Sequence, residues 1–153
     1  AINLSKKLFK KEKLKGYFQV GDFTSMNYKN FFFDCVVDVF STCTLGKLDG
    51  QKYIKEINRV LKRKGKFFSY FPSKKSDMFN LKNRILHDSD TLISVKQKSA
   101  YQTNHSLRFM TMNQYCNLLK KNNFKVYYKE ELMRTYYSGK EKFYFLVIEA
   151  VKI

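Results

Sequence analysis

Few side chains in this 153-residue chain have the chemistry of catalysis, and they are scattered. His87 and His105 are the only imidazoles, hence the only side chains that titrate near neutral pH without a shifted pKa. The plainer reading of each is a loop histidine in solvent. Arg108 carries the planar fork that clamps a carboxylate or a sugar phosphate. Its bland alternative is an ion pair holding the helix that follows. Asp77 opens a polar excursion and is a weaker ligand-side candidate. Asp22 stands in a Gly21-Asp22-Phe23 turn, and Asp38 closes an apolar stretch. A strand-end carboxylate either meets a ligand or accepts hydrogen bonds from nearby amides, and both readings stay open for Asp38. Cys35, Cys43 and Cys116 form no CxxC pair, so with two distant histidines they make no zinc pattern. Without a disulfide framework, a reducing, cytoplasmic setting is the default expectation.

The elements that position these groups run from Phe31 to Pro72. Phe31–Phe40 is a run rich in Phe and Val, broken by Asp34 and Asp38, and predicts a strand buried on both faces of a parallel sheet. Tyr53, Ile54, Ile57, Val60 and Leu61 recur at spacings of three and four, which predicts one apolar helix face. Lys55, Glu56, Asn58, Lys62 and Arg63 form its wet side, and Gly65 stands where a stop is expected. Lys66–Pro72 is a second short strand. The three pieces make a right-handed βαβ unit. Ligands gather at the carboxyl ends of parallel strands, which puts Asp38, Val39 and Phe40 on a ligand cleft.

Phe33-Asp34-Cys35-Val36-Val37-Asp38, followed by the helix and Val60-Leu61-Lys62-Arg63-Lys64-Gly65-Lys66-Phe67-Phe68, resembles the fourth and fifth strands of class I S-adenosylmethionine-dependent methyltransferases. The resemblance implies a Rossmann-like α/β fold: a mostly parallel sheet with an antiparallel last strand between helix layers. It implies S-adenosylmethionine as cofactor. Asp22 would then accept from the adenine amine with Phe23 covering the base, and Asp38, Val39 and Phe40 would line the rest of that cleft. Asp77, His105 and Arg108 fall on the acceptor side. The family's GxGxG turn and its second-strand acidic residue have no counterpart here. Residues 1–153 are therefore expected to be the C-terminal two-thirds of one such domain, a fragment short of two strands that binds cofactor poorly alone. Methyl transfer needs alignment and dryness more than a catalytic triad, because the sulfonium is already electrophilic.

Ala1–Lys13 reads as a helix and Tyr17–Val20 as a short strand. Residues 73–110 are too long for a simple connection, and the resemblance implies that they cap the substrate pocket. Thr111 is a helix N-cap, with Tyr115, Leu118 and Leu119 on the apolar face and Asn122-Asn123 as the stop. Phe124–Tyr128 and Phe143–Val151 are strands, with a turn at Ser138-Gly139-Lys140. The formal charge of +17 suits an anionic partner, yet it is mostly Lys, spread evenly along the chain, which points to a compositional bias. Two functions follow: methyl transfer to a small-molecule or carbohydrate-like acceptor, anionic ones included, or else a basic α/β nucleic-acid-binding module or non-catalytic methyltransferase remnant. No stretch has the ~20 apolar residues that span a bilayer, so no membrane partner is expected.

Overall fold

The computed structural model describes residues 2–95, 99–100 and 105–153. In chain order the elements are α1 (Ile2–Lys11), β1 (Phe33–Val39), a 3-10 turn (Thr42–Thr44), α2 (Lys47–Val60), β2 (Leu61–Pro72), α3 (Asp77–Asn80), β3 (Arg84–Leu86), β4 (Thr91–Val95), β5 (Leu107–Arg108), α4 (Met112–Lys121), β6 (Phe124–Tyr136) and β7 (Glu141–Lys152). The main sheet has the order β1-β2-β7-β6. β1 and β2 pair in parallel, and β7 is antiparallel to both β2 and β6. Three strands thus point one way and β7 the other, as the sequence predicts.

One face of this sheet carries the core. Ile54, Ile57 and Val60 of α2 and Tyr115 and Leu119 of α4 are buried there with Phe67, Phe71, Leu146 and Ile148. Each such side chain stabilises by roughly 1.5–3 kcal/mol when fully buried. The join to α4 is polar in one place: the hydroxyls of Ser69 on β2 and Tyr115 share a 2.6 Å hydrogen bond. Thr111 caps α4 as expected. Its hydroxyl accepts from the Gln114 amide, and the Gln114 side chain accepts from the Thr111 amide.

Several expectations are corrected. β1 is an edge strand, not one buried on both faces: it pairs only with β2, and Asp38 is its one buried residue. Val37 and Val39 stay 63% and 55% exposed because nothing packs on that side. Tyr17–Val20 is not a strand: it pairs with no other strand, and both Tyr17 and Val20 stand in solvent. α1 buries no residue. α2 starts at Lys47 and ends at Val60, so Leu61–Lys64 belong to β2 and not to the helix. The chain turns from helix to strand at once because Leu61 is extended (φ −73°, ψ 139°) while its amide still bonds Ile57 O. Gly65 is no helix stop. It is an inner strand position where a Cβ would come within 2.8 Å of Lys62 O. Residues 73–110 hold α3 and an antiparallel sheet of order β3-β4-β5. β6 runs eight residues past Tyr128, its polar residues held by pairing with β7.

Candidate ligand-binding site

The 3-10 turn after β1 is built on Asp38. Its Oδ1 accepts from the amides of Ser41 (3.2 Å) and Thr42 (3.3 Å), and its other oxygen accepts from the Thr42 hydroxyl. The hydroxyl of Tyr53 on α2 stands near enough to this carboxylate to feel its charge. Asp38 is 3% exposed, so it works as a strand-end anchor with its oxygens engaged. Burial first, and the Asp38 charge second, push the Tyr53 hydroxyl well above the tyrosine range. The same two causes push the Cys43 thiol up to about 12. Both groups are protonated at any physiological pH and neither is a ready nucleophile.

Beside this anchor a slot of about 290 Å³ opens along the free edge of β1. Phe23, Met26, Tyr28, Val36, Asp38 and Tyr53 are among its walls. The Phe23 and Tyr53 rings meet edge to face at 6.1 Å. The loop that brings Phe23 here is held by an i,i+3 pair on α2. Arg59 donates twice to the Glu56 carboxylate, and also to Met26 O (2.8 Å), Tyr28 O (2.7 Å) and the Asn30 side chain. Glu56 accepts from the Met26 amide at 2.8 Å. Sequence reading placed Glu56 on a solvated face and gave Arg59 no role. The Glu-x-x-Arg spacing was the available signal.

Asp22, next in the chain to Phe23, lies on the surface. The amide and hydroxyl of Thr24 bond its Oδ1 at 2.7 Å and hold its carboxyl below the usual range. No hydrogen bond occupies its Oδ2 among the described residues. An apolar slot with aromatic walls and a carboxylate at the end of the same turn fits a purine with an exocyclic amine, so the residues present suit the adenine end of S-adenosylmethionine.

The remaining candidates divide. Val39 and Phe40 line a separate hollow with Phe68, Tyr70, Arg134 and Phe145, not the Phe23 slot. Phe40 adopts a left-handed backbone (φ 55°), its ring 5.8 Å from that of Phe145. Asp77 is at a third place, its carboxylate accepting from the Lys142 amide at 2.7 Å. His105 is exposed. Arg108 is 2% exposed: its guanidinium lies over the Phe71 ring at 5.1 Å and donates to Lys47 O at 3.5 Å, while its Nε is unpartnered. It belongs to the interior, wedged against Gly50, and no ion pair holds it among the described residues. The neighbouring carboxylate, Asp90, pairs instead with Lys74 at 2.5 Å and Lys47 at 4.0 Å. His87 and Asp88 border a cavity at the start of α2. Asp88 acts there as a long-range cap, accepting from the Lys47 amide at 3.4 Å where the N-cap, Gly46, has no side chain to offer. The described residues hold no cluster of potential metal ligands.

A family profile described as methyltransferase domain matches residues 1–69. No curated protein matches the chain. Among solved structures, a S-adenosylmethionine-dependent methyltransferase from Methanosarcina mazei superposes with a TM-score of 0.81 at 18% identity, over 100% of this chain and 77% of its own. A putative methyltransferase from Bacillus halodurans gives 0.71 at 13% identity, over 99% and 78%. The 1,6-didemethyltoxoflavin-N1-methyltransferase of Burkholderia thailandensis, solved with its substrate and S-adenosylhomocysteine, gives 0.65 at 14% identity, over 97% and 56%.

Proposed function

Residues 1–69 match a methyltransferase domain and the whole chain has the class I methyltransferase fold, and from that premise we propose S-adenosylmethionine-dependent methyl transfer to a small-molecule or carbohydrate-like acceptor. The observation that carries the reading is the aromatic slot beside the free edge of β1, with the Asp22 carboxylate beside it in the chain. Phe23 and Tyr53 would enclose the adenine, and Asp22 would accept from its amine. Asp38 acts one step back: it fixes the turn that follows β1, so the slot keeps its shape. The Glu56–Arg59 pair does the same for the loop carrying Phe23. S-adenosylmethionine held there would supply an electrophilic methyl group to the acceptor's lone pair, and the residues of the slot would align it and keep water away.

A GxGxG turn and a ribose-binding carboxylate are not found in residues 1–153. The unpaired edge of β1 is where a further parallel strand bringing them would add. The similar structure solved with 1,6-didemethyltoxoflavin supports a small-molecule acceptor, as does the lack of an Asn-Pro-Pro-Tyr-like motif at Asp38-Val39-Phe40-Ser41.

The test is photolabelling. Irradiating the chain with methyl-tritiated S-adenosylmethionine at millimolar concentration places label in peptides spanning 22–28 or 33–42, and S-adenosylhomocysteine competes it away. Label spread over the chain, or label that does not yield to the competitor, overturns the reading.

A further inference from the structure

Past the carboxyl end of β2 lies another concavity, of about 560 Å³ and larger than the Phe23 slot, between α3 and the β6–β7 turn. Both borders stand at the ligand end of the sheet, because β7 begins beyond Pro72, which pairs with Phe145. The segment after β2 is pinned there. Ser76 Oγ accepts from the Tyr144 amide at 2.9 Å, and Asp77 Oδ2 accepts from the Lys142 amide at 2.7 Å.

We propose that this groove is a subsite for a hydroxyl-rich ligand of the sugar class, and that such a molecule is the methyl acceptor. The second clause rests on the methyltransferase reading; the first does not. The floor is apolar, from buried Met78 and from Leu81. Above it, Asp77 keeps Oδ1 for a ligand because Oδ2 is spent on the backbone. Asn80 donates its amide to Lys74 O and Ser76 O, which leaves its carbonyl oxygen as a second acceptor. Tyr137 and Lys140 supply donors, and neither has an ion-pair or hydrogen-bond partner by its side chain among the described residues. Glu141 closes the far wall without offering a free oxygen, since its carboxylate is held by Ser99 and the Ala100 amide.

This set discriminates between ligand classes. A sugar presents hydroxyls that both donate and accept around an apolar C–H face, which matches two acceptors, two donors, an aromatic ring and an apolar floor. A strongly anionic ligand would face Asp77 and Glu141. A plain hydrocarbon would leave Asp77 and Asn80 without partners in a closed site. The turn supplies a second observation. Tyr137 and Ser138 are both left-handed (φ 51° and 55°), a conformation that suits Asn and Gly and strains tyrosine. The ring on the groove wall is therefore held where turn chemistry alone disfavours it.

Amide-resolved NMR titration of the 153-residue chain with glucose, galactose, N-acetylglucosamine and glucuronate, each at tens of millimolar, tests the site. At least one neutral sugar gives saturable shifts confined to the amides around Met78, Asn80 and Tyr137. Asp77→Asn, which can still accept from the Lys142 amide, and Tyr137→Asn each weaken that binding by roughly tenfold. Tyr137→Asn also raises Tm, because asparagine tolerates the turn, so its loss of binding is not unfolding. The proposal fails if no neutral sugar shifts these amides, if only glucuronate does, or if both variants bind as well as the parent. The photolabelling result is independent. Sugar binding without cofactor label keeps the subsite and removes its role as acceptor site, whereas label without sugar binding removes only the sugar subsite.

Discussion

Replacing Asp38 separates a structural anchor from a ligand contact. In Asp38→Ala the Thr42 amide and the Thr42 hydroxyl lose their acceptor in the interior, and the Ser41 amide loses its own where water reaches it. An unsatisfied buried donor costs about 1–3 kcal/mol, so two of them, with the third discounted, cost about 3 kcal/mol. That is a large part of the roughly 5–15 kcal/mol that holds a domain folded. Asp38→Asn keeps one carbonyl oxygen for the two amides, and its new amide group can donate to the Thr42 hydroxyl. Its expected cost is about 1 kcal/mol. Urea unfolding measures both as shifts in midpoint at constant slope. If alanine costs under about 1 kcal/mol, or asparagine costs as much as alanine, the anchor argument is wrong. An Asp38→Asn protein that is stable yet takes no S-adenosylmethionine label would place the carboxylate on the ligand instead.

Gly50→Ala reverses the usual helix rule: the new Cβ falls 1.7 Å from Arg108 Nη1, whose side chain is closed in by Phe71, so unfolding measurements show a loss of about 2 kcal/mol rather than the ordinary gain. Asp88→Ala uncaps α2 from a distance and costs about 1 kcal/mol in the same assay. At alkaline pH the folded state keeps protons on Cys43, Tyr53 and Tyr115 that the unfolded chain has lost, since burial raises all three pKa values. Stability is therefore intact below about pH 9 and falls as pH rises, by at most about 1.4 kcal/mol per pH unit for each group, which unfolding curves at about pH 8 and about pH 10 measure. A thiol reagent modifies exposed Cys35 first and buried Cys43 only on unfolding. Any retention on RNA collapses between low and high salt, whereas photolabelling by S-adenosylmethionine does not follow it, because only phosphate contacts release counterions.

Local signals in the chain settled much of the architecture. The spacing of Tyr53, Ile54 and Ile57 marks the buried face of α2, and Thr111 with Gln114 marks the start of α4, because caps and helix faces depend on residues three or four apart. The alternation of strand, helix and strand, the turn at Ser138-Gly139-Lys140 and the apolar last strand were readable for the same reason. Tertiary structure decided the rest. Tyr17–Val20 has strand composition yet docks on no strand and stays in solvent, whereas Lys129–Arg134 is a strand because β7 pairs with it. Leu61–Lys64 reads as helix until β1 pairs with Leu61 and Lys66. Arg108 looks like a surface clamp in sequence, yet Gly50 leaves the space that lets it pack inside against Phe71. Asp88 caps a helix that begins 41 residues before it. Asp77 and Tyr137 border one groove although they lie far apart in the chain. Each of these depends on which partner folding brings within hydrogen-bonding or packing distance, and residue type at a single position does not encode that choice.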